Sequence, residues 1–178
     1  MPATPGPDDM YRAYEGEIDL LESAGRTGAP TRDPASEFFG LPYADFVDAL
    51  RAVRDEIEHR AYLAIVAAVE ARVQLDLRVR KSEKASVPLR DVARRLTREE
   101  RAGRRIVLED ILDAWADLPG ARGAPISEFK QLLLHRHWLA HGRYFVDRAG
   151  VPAGPDFAIE RSRALVAELG RLDPAFPR

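Results

Sequence analysis

The chain contains no cysteine, so disulfide bonds and thiolate metal sites are excluded. It also lacks a long hydrophobic run, because the longest, residues 61–69, is too short to cross a bilayer as a helix. The N-terminal residues carry neither a basic segment nor an apolar stretch, so no signal peptide is expected. These absences predict a cytoplasmic protein with no membrane partner.

The composition is that of a globular protein with little net charge. The 178 residues are 46% hydrophobic and 31% charged, and the formal net charge is −2. This charge argues against wholesale coating of nucleic acid but is compatible with a local basic cleft. The length suits one domain, so we expect a disordered Pro-rich tail at residues 1–7 and a single helical domain at 8–178.

Helical periodicity dominates the sequence, and no segment shows the sustained alternation of a strand. Residues 43–81 contain no Gly or Pro, which leaves open one very long helix or two helices that meet near His59. A short helix is predicted at 89–96. Residues 97–100 have capping-box spacing and are predicted to open a further helix that ends near Leu118.

The C-terminal part of the sequence predicts two more helices. Ser127 is a good N-cap for a helix over 128–144, and Asp156 caps a last helix. Together these patterns predict an all-α, antiparallel bundle of five to six helices.

Residues 132–145 combine a hydrophobic pattern with dense polar chemistry. Three of the four histidines lie here within seven residues. On a helical projection the segment is apolar nearly all round, with Arg136 in the middle of one face. A buried guanidinium needs a carboxylate, a phosphate or water. Glu70, which interrupts an apolar helix face, is predicted to pair with Arg136 or to orient a histidine of this segment.

Three interpretations of this segment are open. In the first interpretation, Arg136 is a structural arginine and two of the histidines are core residues with satisfied hydrogen bonds. Alternatively, His137 and His141, four residues apart, bind zinc with a third ligand such as His59 or Glu70. In the third interpretation, Arg136 and His141 perform phosphodiester chemistry, which needs a proton-transfer group near the ribose hydroxyl and a cation near the phosphate.

The bare spacing of an arginine, four residues and a histidine is weak evidence by itself. Arg54 and His59 have the same spacing on a charged stretch, which we interpret as a solvated helix face. Evidence that Arg136 and His141 form a functional pair, unlike Arg54 and His59, therefore has to come from the surrounding sequence.

Arg136-His-Trp-Leu-Ala-His141-Gly resembles the signature of the HEPN superfamily. These are all-α domains marked by an arginine, four to six residues and a histidine, often with Asn, Asp or His directly after the arginine. His137 fits that polar position. One toxin subgroup carries a tyrosine two residues after the histidine, a place that Arg143 holds here. The resemblance covers the motif and the helical architecture.

The resemblance implies a metal-independent endoribonuclease without a cofactor, in which a homodimer brings two motifs into one cleft. RNA is then the substrate, cleaved by attack of its 2′-hydroxyl, and an antitoxin protein is a further expected partner. Arg136 would stabilise the phosphate, His141 would assist proton transfer, and His137 would support them. Such proteins act as toxins or in phage defence.

The residues next to the motif add candidates for RNA contact. Arg143 and Arg148 are suited to phosphate contact, and Tyr144 is suited to stacking on a base. The alternative function is a catalytically inactive HEPN-like module for binding or dimerisation, and the third is a zinc-binding helical protein.

Overall fold

The structure is a computed structural model that describes residues 5–82, 87–140 and 154–176. These residues form six α-helices and a short 3₁₀ turn, with no strand among them. The predicted all-α bundle is therefore confirmed. The helices are α1 (Pro7–Thr27), α2 (Tyr43–Ser82), α3 (Val87–Arg101), α4 (Leu108–Ala116), α5 (Gly123–Ala140) and α6 (Pro155–Leu172).

Helix α2 is the centre of the bundle. It is one unbroken helix of 40 residues, which settles the question that the sequence left open. No Gly or Pro interrupts it, and its buried side chains recur at helical spacing. Tyr62, Val66, Val69 and Val73 are fully buried. All five other helices pack against α2.

The predicted boundary between two helices at residues 97–100 is wrong. Helix α3 continues through this stretch, and the hydroxyl of Thr97 donates to the backbone carbonyl of Ala93 at 2.7 Å instead of capping a new helix. The break comes later, at Gly103, whose φ of +87° suits a residue without a Cβ. The next helix, α4, starts at Leu108.

Further boundaries also need correction, among them the start of α6, where Gly154 and not Asp156 is the N-cap. Helix α5 begins at Gly123, so Ser127 lies within the helix, where its hydroxyl donates to the carbonyl of Ala124 at 3.0 Å. Helix α1 begins at Pro7, inside the segment that was predicted to be disordered, and Pro7 is buried. The rest of that segment up to residue 4 lies outside the described residues, as does the predicted end of α5 at 141–144.

No helix in the described part of the chain combines the length and the apolar character needed to cross a membrane.

A buried ionic cluster ties the C-terminal end of α2 to the rest of the bundle. The guanidinium of Arg80 donates to Asp76 at 2.6 Å and to Asp173, which follows α6, at 2.7 Å. It also lies 5.3 Å from the ring centroid of Trp115 in α4. Burial raises the pKa of Asp76 despite the opposing effect of Arg80. The cluster therefore depends on Arg80 to compensate two carboxylates that are shielded from water.

Replacing Arg80 with Met is expected to lower the free energy of unfolding by roughly 3 kcal/mol or more, because it removes a counterion from two buried carboxylates. Arg78→Met is the matched control, since Arg78 is exposed on the same turn of α2. The control should change stability by less than about 0.5 kcal/mol. Chemical denaturation followed by circular dichroism measures both, and equal effects would show that the cluster is not a structural anchor.

Candidate functional site

The structure brings the two predicted partners Arg136 and Glu70 together. Nη2 of Arg136 on α5 lies 3.2 Å from Oε2 of Glu70 on α2. The Glu70 side chain is 18% exposed and that of Arg136 is 38% exposed. Glu70 stands one turn from the buried Val66 and three residues before the buried Val73, so α2 holds it rigidly. The predicted pairing of Glu70 with Arg136 is confirmed.

The electrostatic setting of Glu70 shows that its position is costly. Burial raises its pKa above the ordinary value, and this effect outweighs the lowering by Arg136. The carboxylate of Glu109, at the start of α4, raises the pKa further. Glu70 is thus a partly buried carboxylate that its counterion compensates only in part. Such an arrangement is typical of functional sites and also occurs in structural ion pairs.

The arrangement leaves Arg136 capable of binding an anion. A guanidinium carries five N–H donors in a planar fork, and Glu70 faces one side of it. More than a third of the Arg136 side chain is open to solvent. A phosphate group approaching that open part would meet a cation that Glu70 already holds in place.

Helix α5 is not apolar all round, which corrects the prediction for this segment. Phe129 and Leu132 are fully buried, as expected for the face toward the bundle. Leu134, however, is 63% exposed, and His137 is exposed as well. The two side chains lie three residues apart and share one solvent-facing strip. His137 is therefore on the accessible side of the helix.

His135 has a structural role that the sequence analysis missed. Its ring is buried, with 1% of the residue exposed, and packs edge-on against Tyr62 at a centroid distance of 5.0 Å. It also contacts Trp138 at 5.2 Å. The hydroxyl of Tyr62 donates to the carbonyl of Leu132 at 3.1 Å, which fixes α5 against α2. The available signal was its position three residues after Leu132, on the buried face of the helix.

The remaining predicted site residues cannot be placed. His141, Arg143, Tyr144 and Arg148 lie outside the described residues. Their predicted roles in proton transfer, base stacking and phosphate contact therefore stay predictions.

The second Arg-x4-His pair differs from the first in its surroundings. Arg54 lies on the surface of α2, with a side chain that is 46% exposed, and forms ion pairs with Glu58 at 2.9 Å and with Glu22 at 3.6 Å. This agrees with the interpretation of a solvated helix face. Arg54 is thus a natural control for Arg136.

Among the described residues, no group of three or more His, Asp or Glu side chains is placed to hold a metal ion. His141, which the zinc interpretation requires, is not among them. Comparisons of this chain with family models, with curated proteins and with solved structures find no match.

Because burial of the ionised Glu70 side chain is unfavourable, the effect of Glu70→Gln on stability should depend on pH. Because its pKa is raised, the folded protein binds this proton more tightly than the unfolded chain does. The resulting stabilisation is complete below pH 4.5 and is lost as the pH rises through the raised pKa. Glutamine has no proton to lose, so the variant should gain stability relative to the parent as the pH rises from about 4 to about 7.

Glu100→Gln is the control for this measurement. The hydrogen bond from Lys81 lowers the pKa of Glu100, so its stabilising contribution is present above pH 4.5 and is lost at lower pH. Denaturation midpoints across the pH range should therefore change in opposite directions for the two variants. If Glu70→Gln instead lost stability relative to the parent as the pH rises, the attraction of Glu70 to Arg136 would outweigh the cost of burying its charge.

Proposed function

We propose that this protein is a metal-independent endoribonuclease of the HEPN type that acts as a toxin or a phage-defence component in the cytoplasm. The observation that carries the proposal is the ion pair between Glu70 and Arg136. It holds the arginine of the Arg136–His141 motif, on α5, against the central helix α2 and leaves more than a third of the Arg136 side chain open to solvent. The all-α bundle agrees with the architecture that the motif implies.

The roles in the proposed reaction follow from the chemistry of the side chains. Arg136 stabilises the negative charge that develops on the phosphate during attack by the 2′-hydroxyl. His141 transfers a proton at the 2′-oxygen or at the leaving 5′-oxygen. The products are a 2′,3′-cyclic phosphate and a free 5′-hydroxyl. Glu70 positions Arg136, and the exposed His137 assists at the edge of the site. Arg143, Arg148 and Tyr144 bind the RNA.

Cleavage of RNA in excess EDTA tests this proposal directly. Transfer RNA and unstructured single-stranded RNA are the substrates, and mass spectrometry identifies the ends. The parent should produce cyclic phosphate ends. Arg136→Ala and His141→Ala should each reduce the rate by about 100-fold or more, since each removes a group that acts in the transition state.

The second Arg-x4-His pair supplies the matched control. Arg54→Ala removes a surface arginine with the same spacing to a histidine, and its rate should equal that of the parent. Equal cleavage by the parent, Arg136→Ala and His141→Ala would reveal a contaminating nuclease and contradict the proposal. Complete absence of cleavage would favour the second candidate.

The second candidate is a catalytically inactive HEPN-like module for binding or dimerisation. The same ion pair favours it in one respect, because a guanidinium that already faces a carboxylate is a common structural device. This candidate predicts that Arg136→Ala lowers stability and leaves no activity to lose. The nuclease predicts the same loss of stability, because the ion pair is common to both candidates, but it also predicts a loss of cleavage by Arg136→Ala protein that still folds.

A homodimer is part of the proposal, and α5 offers a surface for it. Leu134 is the most exposed large hydrophobic side chain on this helix and lies on the same strip as His137. Leu134→Glu should weaken dimerisation in sedimentation velocity and reduce RNA cleavage together. Gln131→Glu, also exposed on α5, is the charge-matched control. A parent that is monomeric at concentrations at which it cleaves RNA would contradict the dimer.

A further inference from the structure

A pocket of about 490 Å³ lies between the N-terminus of α1, the middle of α2 and the C-terminal half of α6. We call it the arginine pocket, because Arg72, Arg163 and Arg171 line it. Val166 and Ala167 of α6 contribute an apolar wall. The volume lies within the usual range of small-molecule sites, about 300–1,000 Å³. The pocket therefore combines space, apolar surface and positive charge.

The arginine pocket is separate from the site at Glu70. Arg72 follows Glu70 by two residues, which is a rotation of about 200° around an α-helix. The two side chains therefore leave α2 on nearly opposite faces. A ligand in the pocket would not contact Arg136.

Arg72 differs from the other two arginines of the pocket. Arg163 donates to Asp8 at 2.8 Å, and Arg171 donates to the buried Glu168 at 2.6 Å. The guanidinium of Arg72 has no hydrogen bond or ion pair with a residue that the structure describes, although its charge acts on the carboxylate of Asp9. Its guanidinium therefore has donors available for an anionic ligand, whereas the others are largely neutralised by their carboxylates.

The N-cap of α1 makes room for this guanidinium. A Cβ atom at Gly6 would collide with the guanidinium of Arg72. The backbone N–H of Gly6 donates to Asp9 at 2.8 Å, and this hydrogen bond holds the turn in place. The Gly6 N–H is also the largest cause of the lowered pKa of Asp9, to which the charge of Arg72 adds. Gly6 thus leaves room for the guanidinium of Arg72 at the edge of the pocket.

We propose that the arginine pocket binds a small organic phosphate monoester. The phosphate would accept hydrogen bonds from Arg72, since a guanidinium matches a phosphate in shape and charge. The organic part would cover Val166 and Ala167, which inorganic phosphate would leave unused. Because Arg163 and Arg171 are paired with Asp8 and Glu168, Arg72 supplies the positive charge that favours an anionic ligand.

Isothermal titration calorimetry of the full chain with phenyl phosphate, phenol and inorganic phosphate tests this site. Phenyl phosphate should bind saturably with one molecule per chain. Phenol and inorganic phosphate should each bind at least about tenfold more weakly, because each lacks one half of the interaction. Arg72→Gln should weaken phenyl phosphate by about tenfold or more.

Two pairs of variants distinguish the effect of the position of the Arg72 guanidinium from the effect of its charge. Gly6→Ala keeps every charge but displaces the guanidinium of Arg72, so it should also weaken binding. Gly16→Ala, where an added Cβ meets nothing within 4 Å, should not. Arg51→Gln, an exposed arginine at the other end of α2, is the control for Arg72→Gln and should bind as the parent does.

Three results would overturn the proposal. In the first, the parent does not bind phenyl phosphate saturably. In the second, Arg72→Gln and the parent bind it equally. In the third, the parent binds phenyl phosphate and inorganic phosphate equally. The last would mean an adventitious anion site only. RNA cleavage in excess EDTA should be unchanged in Arg72→Gln, so failure of this proposal and failure of the proposed nuclease are distinguishable.

Discussion

Burial of one apolar stripe on α2 is the constraint on which the fold depends. Helices gain most of their stability in proteins from packing an apolar face rather than from intrinsic propensity. Here all five other helices pack against α2. Every position on α2 is therefore defined relative to the bundle, and a polar residue within the stripe requires a specific partner. Glu70 and Asp76 are two such residues, and each forms an ion pair with an arginine.

The two ion pairs that α2 forms within its apolar stripe, through Asp76 and through Glu70, differ in their access to water. Arg80 is 7% exposed, contacts two carboxylates and lies over the ring of Trp115, so its guanidinium is enclosed by the protein. Arg136 is 38% exposed and faces Glu70 from one side only. Both arrangements place a carboxylate where burial raises its pKa. The first encloses its charge within the protein, whereas the second presents a guanidinium to solvent. This difference, more than the presence of an ion pair, distinguishes a structural cluster from a candidate binding site.

Long-range periodicity predicted the fold better than local signals did. The absence of Gly and Pro over 43–81 and the helical periodicity of the other segments indicated the all-α class. The capping signals at Thr97 and Ser127 were misleading, because a hydroxyl within a helix can bond to a carbonyl three or four residues earlier. Pro125 did not stop α5 because it lies in the first turn, where its missing N–H costs no hydrogen bond. Packing of the buried Ala93 and Leu96 keeps α3 continuous through Thr97.

Part of the candidate site could be predicted from the sequence, because a charged residue that interrupts an apolar helix face needs a partner of opposite charge. This reasoning found Glu70 and Arg136 on different helices, because each was costly alone. It did not find His135, since an imidazole that packs edge-on against Tyr62 behaves as a hydrophobic ring, and only its position on the buried face of α5 indicated that role. Nor could it find Arg72, whose significance arises only where α1 and α6 meet α2. Periodicity identifies which residues need partners, but a pocket between three helices depends on their relative positions. Helix α2 shows both cases. Glu70 pairs with a residue whose need for a partner could be predicted from the sequence, whereas Arg72 lines a pocket that forms only when the helices pack.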